Sequence, residues 1–320
     1  MKQKTKFENK ERKKVLITGG LGFIGSNIAK KCIELGYDVT ILSKSKTKIK
    51  NIEDIKNKIK FVKKDINDIN LEVKNKDYIF HCASTSDNYN IKDNPYKDIN
   101  INCNGTIALL EACKDNNKNA KIIYPSTFFV NGNLKDLPAT PESPINPMGL
   151  YSATRLAGEF FCKTYNNVFG LYSVIARFTN VFGIKEQFDN KKKAGFNYLI
   201  KLAIKNKEIP LYNNGNFIRD YIYVSDVVDA CMTIAEKGKN NNIYYVGRGE
   251  KTNFKNLIDI VIEEAKGGFI KSIIPPIFHK NVGITDFYCD NTLLKKLGWK
   301  PKVSLRDGIK KTIKYYENEK

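Results

Sequence analysis

Glycines fall at positions 19, 22 and 25 of the run Val15-Leu16-Ile17-Thr18-Gly19-Gly20-Leu21-Gly22-Phe23-Ile24-Gly25-Ser26. An apolar stretch leads into the first glycine. An amphipathic segment, Asn27 to Leu35, follows the last and stops at Gly36. The order is strand, glycine turn, helix, helix stop. Such a turn brings backbone N–H groups to a pyrophosphate at the positive end of a helix, which assigns Gly19, Gly22, Phe23, Ile24 and Gly25 to cofactor binding.

The rest of the first half alternates short apolar runs with helical stretches. Strands are predicted at 14–18, 38–42, 59–62, 77–81, 120–124 and 171–177, and helices at 24–35, 95–115 and 149–168. This alternation specifies an α/β fold, a doubly wound parallel sheet of Rossmann type. After Gly183 the pattern changes. A polar, Lys-rich loop is expected at 184–194, helices at 195–206, 225–237, 253–265, 291–297 and 305–317, and a short strand at 217–224. Residues 1–12 read as a disordered basic tail and 13–182 as the dinucleotide-binding domain. Residues 183–320 read as a smaller C-terminal α/β lobe for the substrate, with about 217–237 returning to the first domain.

Composition narrows the function classes. The 320 residues carry a net charge of +20. The lysines spread along the whole chain with no aromatic-interleaved stripe, so the expectation is no nucleic-acid partner. No run of about 18 apolar residues exists, so no membrane span is expected. Residues Met1 to Lys14 have no apolar core of a secretory signal. The seven cysteines are scattered without a C-x-x-C pair, and the histidines are His81 and His279. These features point to a reducing cytoplasm and to no metal site.

The end of the second predicted strand reports on the cofactor. An acidic residue about 20 residues after the glycines would hold the adenosine ribose of NAD. This chain has Ser43 there, followed by Lys44 and Lys46. The cofactor is therefore NAD(P), with NADP(H) favoured over NAD(H), although lysines are ordinary surface residues in so Lys-rich a chain. Asp65 and Ile66, after the third strand, are candidates for adenine contact; Asp65 equally suits a turn.

A second constellation is Tyr124-Pro125-Ser126-Thr127-Phe128-Phe129-Val130-Asn131-Gly132, followed by Tyr151-Ser152-Ala153-Thr154-Arg155. Ser126 and Thr127 end a strand. Tyr151 and Arg155, four apart, share a helix face. A fixed cation favours phenolate and lowers a tyrosine pKa, and a nearby hydroxyl holds the reacting oxygen. That set suits hydride transfer at an alcohol or ketone.

With these motifs, the chain resembles the NAD-dependent epimerase/dehydratase family of extended short-chain dehydrogenases/reductases, which act on nucleotide sugars. The resemblance runs over roughly residues 14–316, through TGGLGFIGS at 18–26, HCAS at 81–84, NCNGT at 102–106, STFFVNG at 126–132, YSATR at 151–155, RFTNVFG at 177–183, RDYIYVSD at 219–226 and LGWKP at 297–301. It implies that Thr127 bonds the reacting oxygen and Tyr151 is the acid/base. Arg155 stands as the cation that also holds the nicotinamide ribose. Ala83 and Ser84 line the cofactor cleft. Ser84, Thr127, Phe128, Asn180, Asn197 and Arg219 contact the substrate, a nucleotide-diphosphate sugar. A homodimer through the helices at 95–115 and 149–168 is a further family expectation, and Leu109, Leu110, Leu156, Phe160 and Phe161 serve it or the core equally well.

The sequence departs from the family pattern at four places. Arg155 replaces the usual lysine; Phe128 and Phe129 replace the acidic pair of dehydratases; Asn131 replaces a tyrosine; Ser43 replaces the acid. The expected activity is 4-epimerisation of a nucleotide hexose through a transient 4-keto sugar. The alternatives are an NADPH-dependent 4-keto-6-deoxy sugar reductase and, because of Arg155, a non-catalytic dinucleotide-binding module.

Overall fold

A computed structural model describes residues 12–85, 90–187 and 195–318. The expected tail at 1–12, apart from Arg12, and most of the expected loop at 184–194 lie outside these residues.

Seven parallel strands form the central sheet: β1 (Lys14–Thr18), β2 (Asp38–Ser43), β3 (Ile59–Lys63), β4 (Tyr78–His81), β5 (Lys121–Thr127), β6 (Ser173–Phe178) and, further along the chain, Ile243–Val246. Short strands β7 (Asn180–Phe182), β8 (Glu208–Tyr212), β9 (Ile218–Arg219) and β10 (Tyr221–Tyr223) come before that seventh strand, which is therefore β11; β12 (Thr252–Asn253) and β13 (Phe269–Ile273) follow. The sheet order is β11-β6-β5-β4-β1-β2-β3. From β1 the chain winds outward to β2 and β3, then returns to the other side of β1 for β4, β5 and β6. The order thus reverses between β1 and β4, where doubly wound sheets open a crevice at their carboxyl ends. The α/β doubly wound expectation holds.

Helices α1 (Phe23–Glu34), α2 (Asn90–Asp93), α3 (Tyr96–Asp98), α4 (Gly105–Asn116), α5 (Leu150–Phe169), α6 (Gly195–Ile204), α7 (Val224–Lys237), α8 (Phe254–Ala265), α9 (Ile277–Val282), α10 (Thr292–Lys296) and α11 (Leu305–Glu317) complete the chain. One sheet face packs on α1 and α7 through Ile28, Cys32, Val227, Cys231 and Ile234. The other packs on α4 and α5 through Leu109, Leu110, Cys113 and Cys162. Because central parallel strands are covered on both faces, Val15, Leu16 and Ile17 read as an unbroken apolar run and are fully buried. The lobe has its own core, with Phe196, Leu211, Leu257, Ile258 and Ile309 from α6, β8, α8 and α11.

Three features differ from the sequence reading. Ile243–Val246 completes the main sheet beside β6; a four-residue run after an Asn-rich stretch carries too little periodicity to stand out. β8 and β13 pair in parallel although 56 residues of β9–α8 and their connections separate them in sequence order, so neither signals the other locally. The predicted helix at 95–115 is interrupted by a π-helical stretch, Ile99–Asn104, which turns Asn102 into the protein. Such bulges commonly sit at functional sites.

Candidate active site

The glycine turn lies at the carboxyl end of β1. Gly19 has φ +65°, and a Cβ there would sit 2.7 Å from both Ala83 N and Cys82 O. Only glycine allows that conformation and that approach. A Cβ at Gly25 would sit 2.7 Å from Gly19 O, so the start of α1 is pressed onto the turn. No side chain caps α1 and no acidic residue occupies its first turn. Its N–H groups and dipole are thus offered to an anion. Phe23 and Ile24 lean from this helix start onto the lobe core. Thr18 fixes the neighbouring strand end, its hydroxyl 2.8 Å from His81 Nδ1 and accepting from Ala83 N at 3.2 Å. His81 Nε2 meets the Thr106 hydroxyl at 3.1 Å. Burial and the Arg155 charge push the imidazole down to about 3, so it is neutral here.

At the end of β2, the Ser43 hydroxyl donates to Ser45 O at 3.1 Å, and Lys44 and Lys46 are exposed. Lys46 Nζ lies 5.6 Å from the centre of the Phe61 ring. Asp65 caps a short helical turn, accepting from Asn67 N at 3.0 Å. Ile66 is buried against Gly105. Ser84 is exposed and donates to Thr85 O and to Asn102 Oδ1, at 2.6 and 3.0 Å. The Asn102 amide donates to the Thr85 and Thr154 hydroxyls, tying the wall behind β4 to α5.

β5 ends at Thr127, level with Phe178 of β6. The Thr127 hydroxyl accepts from Phe129 N at 3.3 Å and acts on the nearby Tyr151 phenol. Tyr151 is partly exposed at the first turn of α5. Burial raises its pKa, while the Arg155 charge and the Thr127 hydroxyl pull it down. Arg155, one turn along, is 2% exposed and lies with its guanidinium carbon 4.3 Å from the centre of the Tyr124 ring. Its Nη1 has no hydrogen-bond partner. A buried, unsatisfied cationic donor is costly and fits a site that receives a polar ligand.

Phe128 and Phe129 form an aromatic wall beside the phenol. Their rings are 4.3 Å apart, and Phe129 meets Tyr151 edge-on at 6.5 Å. Phe128 is buried against Phe287, at 4.6 Å.

The remaining sequence candidates divide. Asn180 opens β7, its amide donating to Asp220 O at 3.1 Å. Arg219 stacks on Phe217 at 4.7 Å and donates to Ile218 O, Ile284 O and Thr285 O. Asp220 does not pair with it, because that carboxylate accepts from the N–H groups of Arg248, Gly249 and Cys289. Asp226 likewise accepts from Lys302 and Val303 N–H. Asn197 is fully buried and donates to Gly183 O at 2.8 Å and Tyr316 Oη at 3.1 Å, inside the lobe. Its side chain holds the Gly183 turn.

Sequence reasoning missed a buried polar chain joining β5, α5, β6 and β11. The Ser126 hydroxyl bonds Glu159; Glu159 binds Arg177; Arg177 reaches the Tyr245 hydroxyl at 3.4 Å; Tyr245 bonds Asn131. The available signal was Glu159, one turn beyond Arg155 on the same helix face.

A family model described as the NAD dependent epimerase/dehydratase family matches residues 15–247. The chain belongs to this family. It is therefore an enzyme, and it depends on NAD(P). A protein of Methanocaldococcus jannaschii, provisionally named UDP-glucose 4-epimerase, is 34% identical over 309 residues, covering 95% of this chain and 98% of its own. The human dTDP-D-glucose 4,6-dehydratase is 29% identical over 323 residues, 95% of this chain and 90% of its own. Among solved structures, the Thermotoga maritima UDP-glucose 4-epimerase with UDP-glucose superposes with a TM-score of 0.87 at 27% identity, over 96% of this chain and 99% of that one.

The glycine cradle, the bare start of α1 and the unpartnered Arg155 Nη1 fit a nicotinamide dinucleotide, which these groups would hold. Among the described residues no helix is long and apolar enough to cross a membrane, and no group of His, Cys, Asp and Glu forms a metal-binding cluster.

Proposed function

We propose that this enzyme is a nucleotide-sugar 4-epimerase. The observation that carries the reading is the placing of Tyr151 at the first turn of α5, with buried Arg155 one turn along and Thr127 at the end of β5 both acting to lower the phenol's pKa. Similarity to 4-epimerases over nearly the whole chain supports it.

The residues divide the work as follows. The turn at Gly19, Gly22 and Gly25, with the N–H groups of Phe23 and Ile24, would hold the pyrophosphate. Asp65, Ile66, Ala83 and Ser84 would border the adenosine and nicotinamide halves. Arg219 and Asn180 would meet the sugar's diphosphate, where a guanidinium grips two oxygens at once. Asn197 would act at one remove, through the Gly183 turn. Thr127 would hold the sugar 4-oxygen, and Tyr151 would take its proton. The dinucleotide supplies hydride acceptance and return at C4. Phe128 and Phe129 would keep water off the keto sugar while it turns over. Tyr151 would then return the proton to the 4-oxygen of the opposite epimer. Phe128 and Phe129 stand where dehydratases carry the acidic pair that removes water, which disfavours 4,6-dehydration.

One observation favours a second reading. Ser43 and Lys44 at the end of β2 leave the adenosine ribose without a carboxylate partner and with a cation beside it, an arrangement suited to NADP. That would fit a reductase of 4-keto-6-deoxy sugar nucleotides. The exposed Phe160, Val168 and Phe169 of α5 would serve a homodimer, whereas Leu109 and Leu110 are wholly buried in the core.

Denaturing the purified protein and identifying released dinucleotide by mass tests the choice. Retained cofactor near one per chain, with UDP-glucose converted to UDP-galactose without added reductant, is the expected result. An enzyme that retains nothing and oxidises NADPH with a 4-keto sugar would be the reductase.

A further inference from the structure

Arg155 presents a problem of position. A guanidinium on a long flexible stem needs something to aim it, and the ordinary aiming partner is a carboxylate. The nearest one on its own helix, Glu159, is engaged by Arg177 through both oxygens, at 3.0 and 2.8 Å. Among the described residues no hydrogen bond or ion pair holds the Arg155 head. What does hold it is an aromatic face. The guanidinium carbon lies 4.3 Å from the Tyr124 ring centre, well inside the range of a cation–π contact.

The fold has made room for that ring. Tyr124 is fully buried on β5, and its hydroxyl donates to Arg155 O at 3.1 Å. Its phenol end occupies the space over α5 that Gly158 leaves open; a methyl group at 158 would overlap the Tyr124 hydroxyl. One end of Tyr124 is thus tied to the Arg155 backbone while its face carries the Arg155 head. We propose that Tyr124 is a positioning residue for the reaction, the seat that keeps the Arg155 charge directed at Tyr151. The proposal rests on the reading of Tyr151 as the acid/base.

The surrounding groups leave Arg155 as the source of that charge. From β4, His81 is held neutral and the Cys82 thiol is pushed up to about 12 by burial. From the π-helical stretch and the helix before it, burial raises Cys103, and Asp98 accepts the Thr85 hydroxyl. From α5, burial raises Cys162 to about 12 and Glu159 is ion-paired. From β5, burial keeps Tyr124 itself protonated. A lysine at 155 would place a small, strongly hydrated ammonium on a different stem, a poorer match to a buried ring face than a weakly hydrated planar guanidinium. Arg155, Tyr124 and Gly158 therefore form a matched set.

The test replaces residue 124 by phenylalanine and by pentafluorophenylalanine, which share a shape but oppose each other in the charge of the ring face. The protein, free of dinucleotide, carries tyrosine labelled with carbon-13 at Cζ, and the Tyr151 signal is identified by its loss in Tyr151→Phe. Phenylalanine is expected to leave the Tyr151 ionisation midpoint within about 0.3 pH unit, and the fluorinated ring to raise it by about one unit or more. Tyr124→Leu, which removes the face altogether, should raise it as well and serves as a second arm. An unshifted midpoint in either folded variant overturns the proposal. An equal rise with phenylalanine also overturns it, by assigning the effect to the hydroxyl. The midpoint is read without substrate or cofactor, so it is independent of the 4-epimerase reading. A shifted midpoint in a protein inactive on every nucleotide sugar would sink that reading and leave the seat standing.

Discussion

Glu159 passes over Arg155, its neighbour one turn earlier on α5, and binds Arg177 of β6 with both carboxylate oxygens. The two side chains are 2% and 0% exposed. A buried pair of this kind adds little net stability, but removing one partner strands the other charge. The pair also carries a chain of polar contacts from Ser126 to Tyr245 and Asn131.

Replacing Glu159 by Gln should therefore destabilise the protein by about 3–5 kcal/mol, the cost of leaving Arg177 buried without a counter-charge. Urea unfolding at neutral pH reads this as a lower midpoint. An unchanged midpoint would mean that water or a backbone carbonyl already satisfies Arg177.

Tyr151→Phe keeps the aromatic ring against Phe129 and removes the proton carrier. Turnover should fall by about 10²- to 10⁴-fold, the usual worth of a positioned acid/base. Dinucleotide affinity, measured by calorimetry, should stay within about threefold. Near-normal turnover would remove Tyr151 from the chemistry.

Arg219→Ala should weaken UDP binding by about 1.5–3 kcal/mol, or roughly tenfold or more, the range for hydrogen bonds to charged groups. In the structure its guanidinium rests on the carbonyls of Ile284 and Thr285, weak competitors for a dianionic diphosphate. Titration of each variant with UDP and with NAD separates the two affinities. A larger loss for the dinucleotide than for UDP would reverse the assignment.

His81 gives the fold a pH dependence. Its pKa is depressed from 6.5 to about 3 by burial and the Arg155 charge. A depressed base contributes stability that is present above its unfolded pKa and is lost as pH falls from about 6.5 toward 3. Between pH 7 and 5 that loss is about 2 kcal/mol. Buried Asp220, raised to about 6, acts oppositely and gains stability over part of the same range as it takes up a proton. The comparison must then be between the wild type and His81→Asn. The variant should show the shallower acid loss in urea unfolding, and equal slopes would exclude His81 as the sensor.

Local signals made much of this molecule readable. The glycine turn and the strands β1 to β6 are each signalled by residues close in sequence, through strand length and turn stereochemistry, and helical spacing places Tyr151 and Arg155 on one face of α5. Residues joined only by the fold were not legible. Glu159 and Arg177 are 18 apart, and Tyr245 and Asn131 are 114 apart. No periodicity links such pairs. Asn197 shows the converse. The family resemblance implies a substrate contact there, and no local pattern announces that its amide donates inward to Gly183 and Tyr316. Arg155 was recognised as a charge, while its seat on Tyr124 depended on the space at Gly158, which only the packing of β5 on α5 reveals.

The chain finishes its central sheet late. β11, beside β6, and α7, against α1, arrive only after α6 and β8 have begun the lobe. No single cut can then separate the two halves into independent pieces. A fragment ending near Gly183 would expose the backbone edge of β6 and the apolar side of α1, an invitation to self-association. A single chain cut between Gly183 and α6 should leave both parts bound together. The whole chain should melt as one unit, so that damage to the C-terminal lobe is felt as loss of cofactor binding.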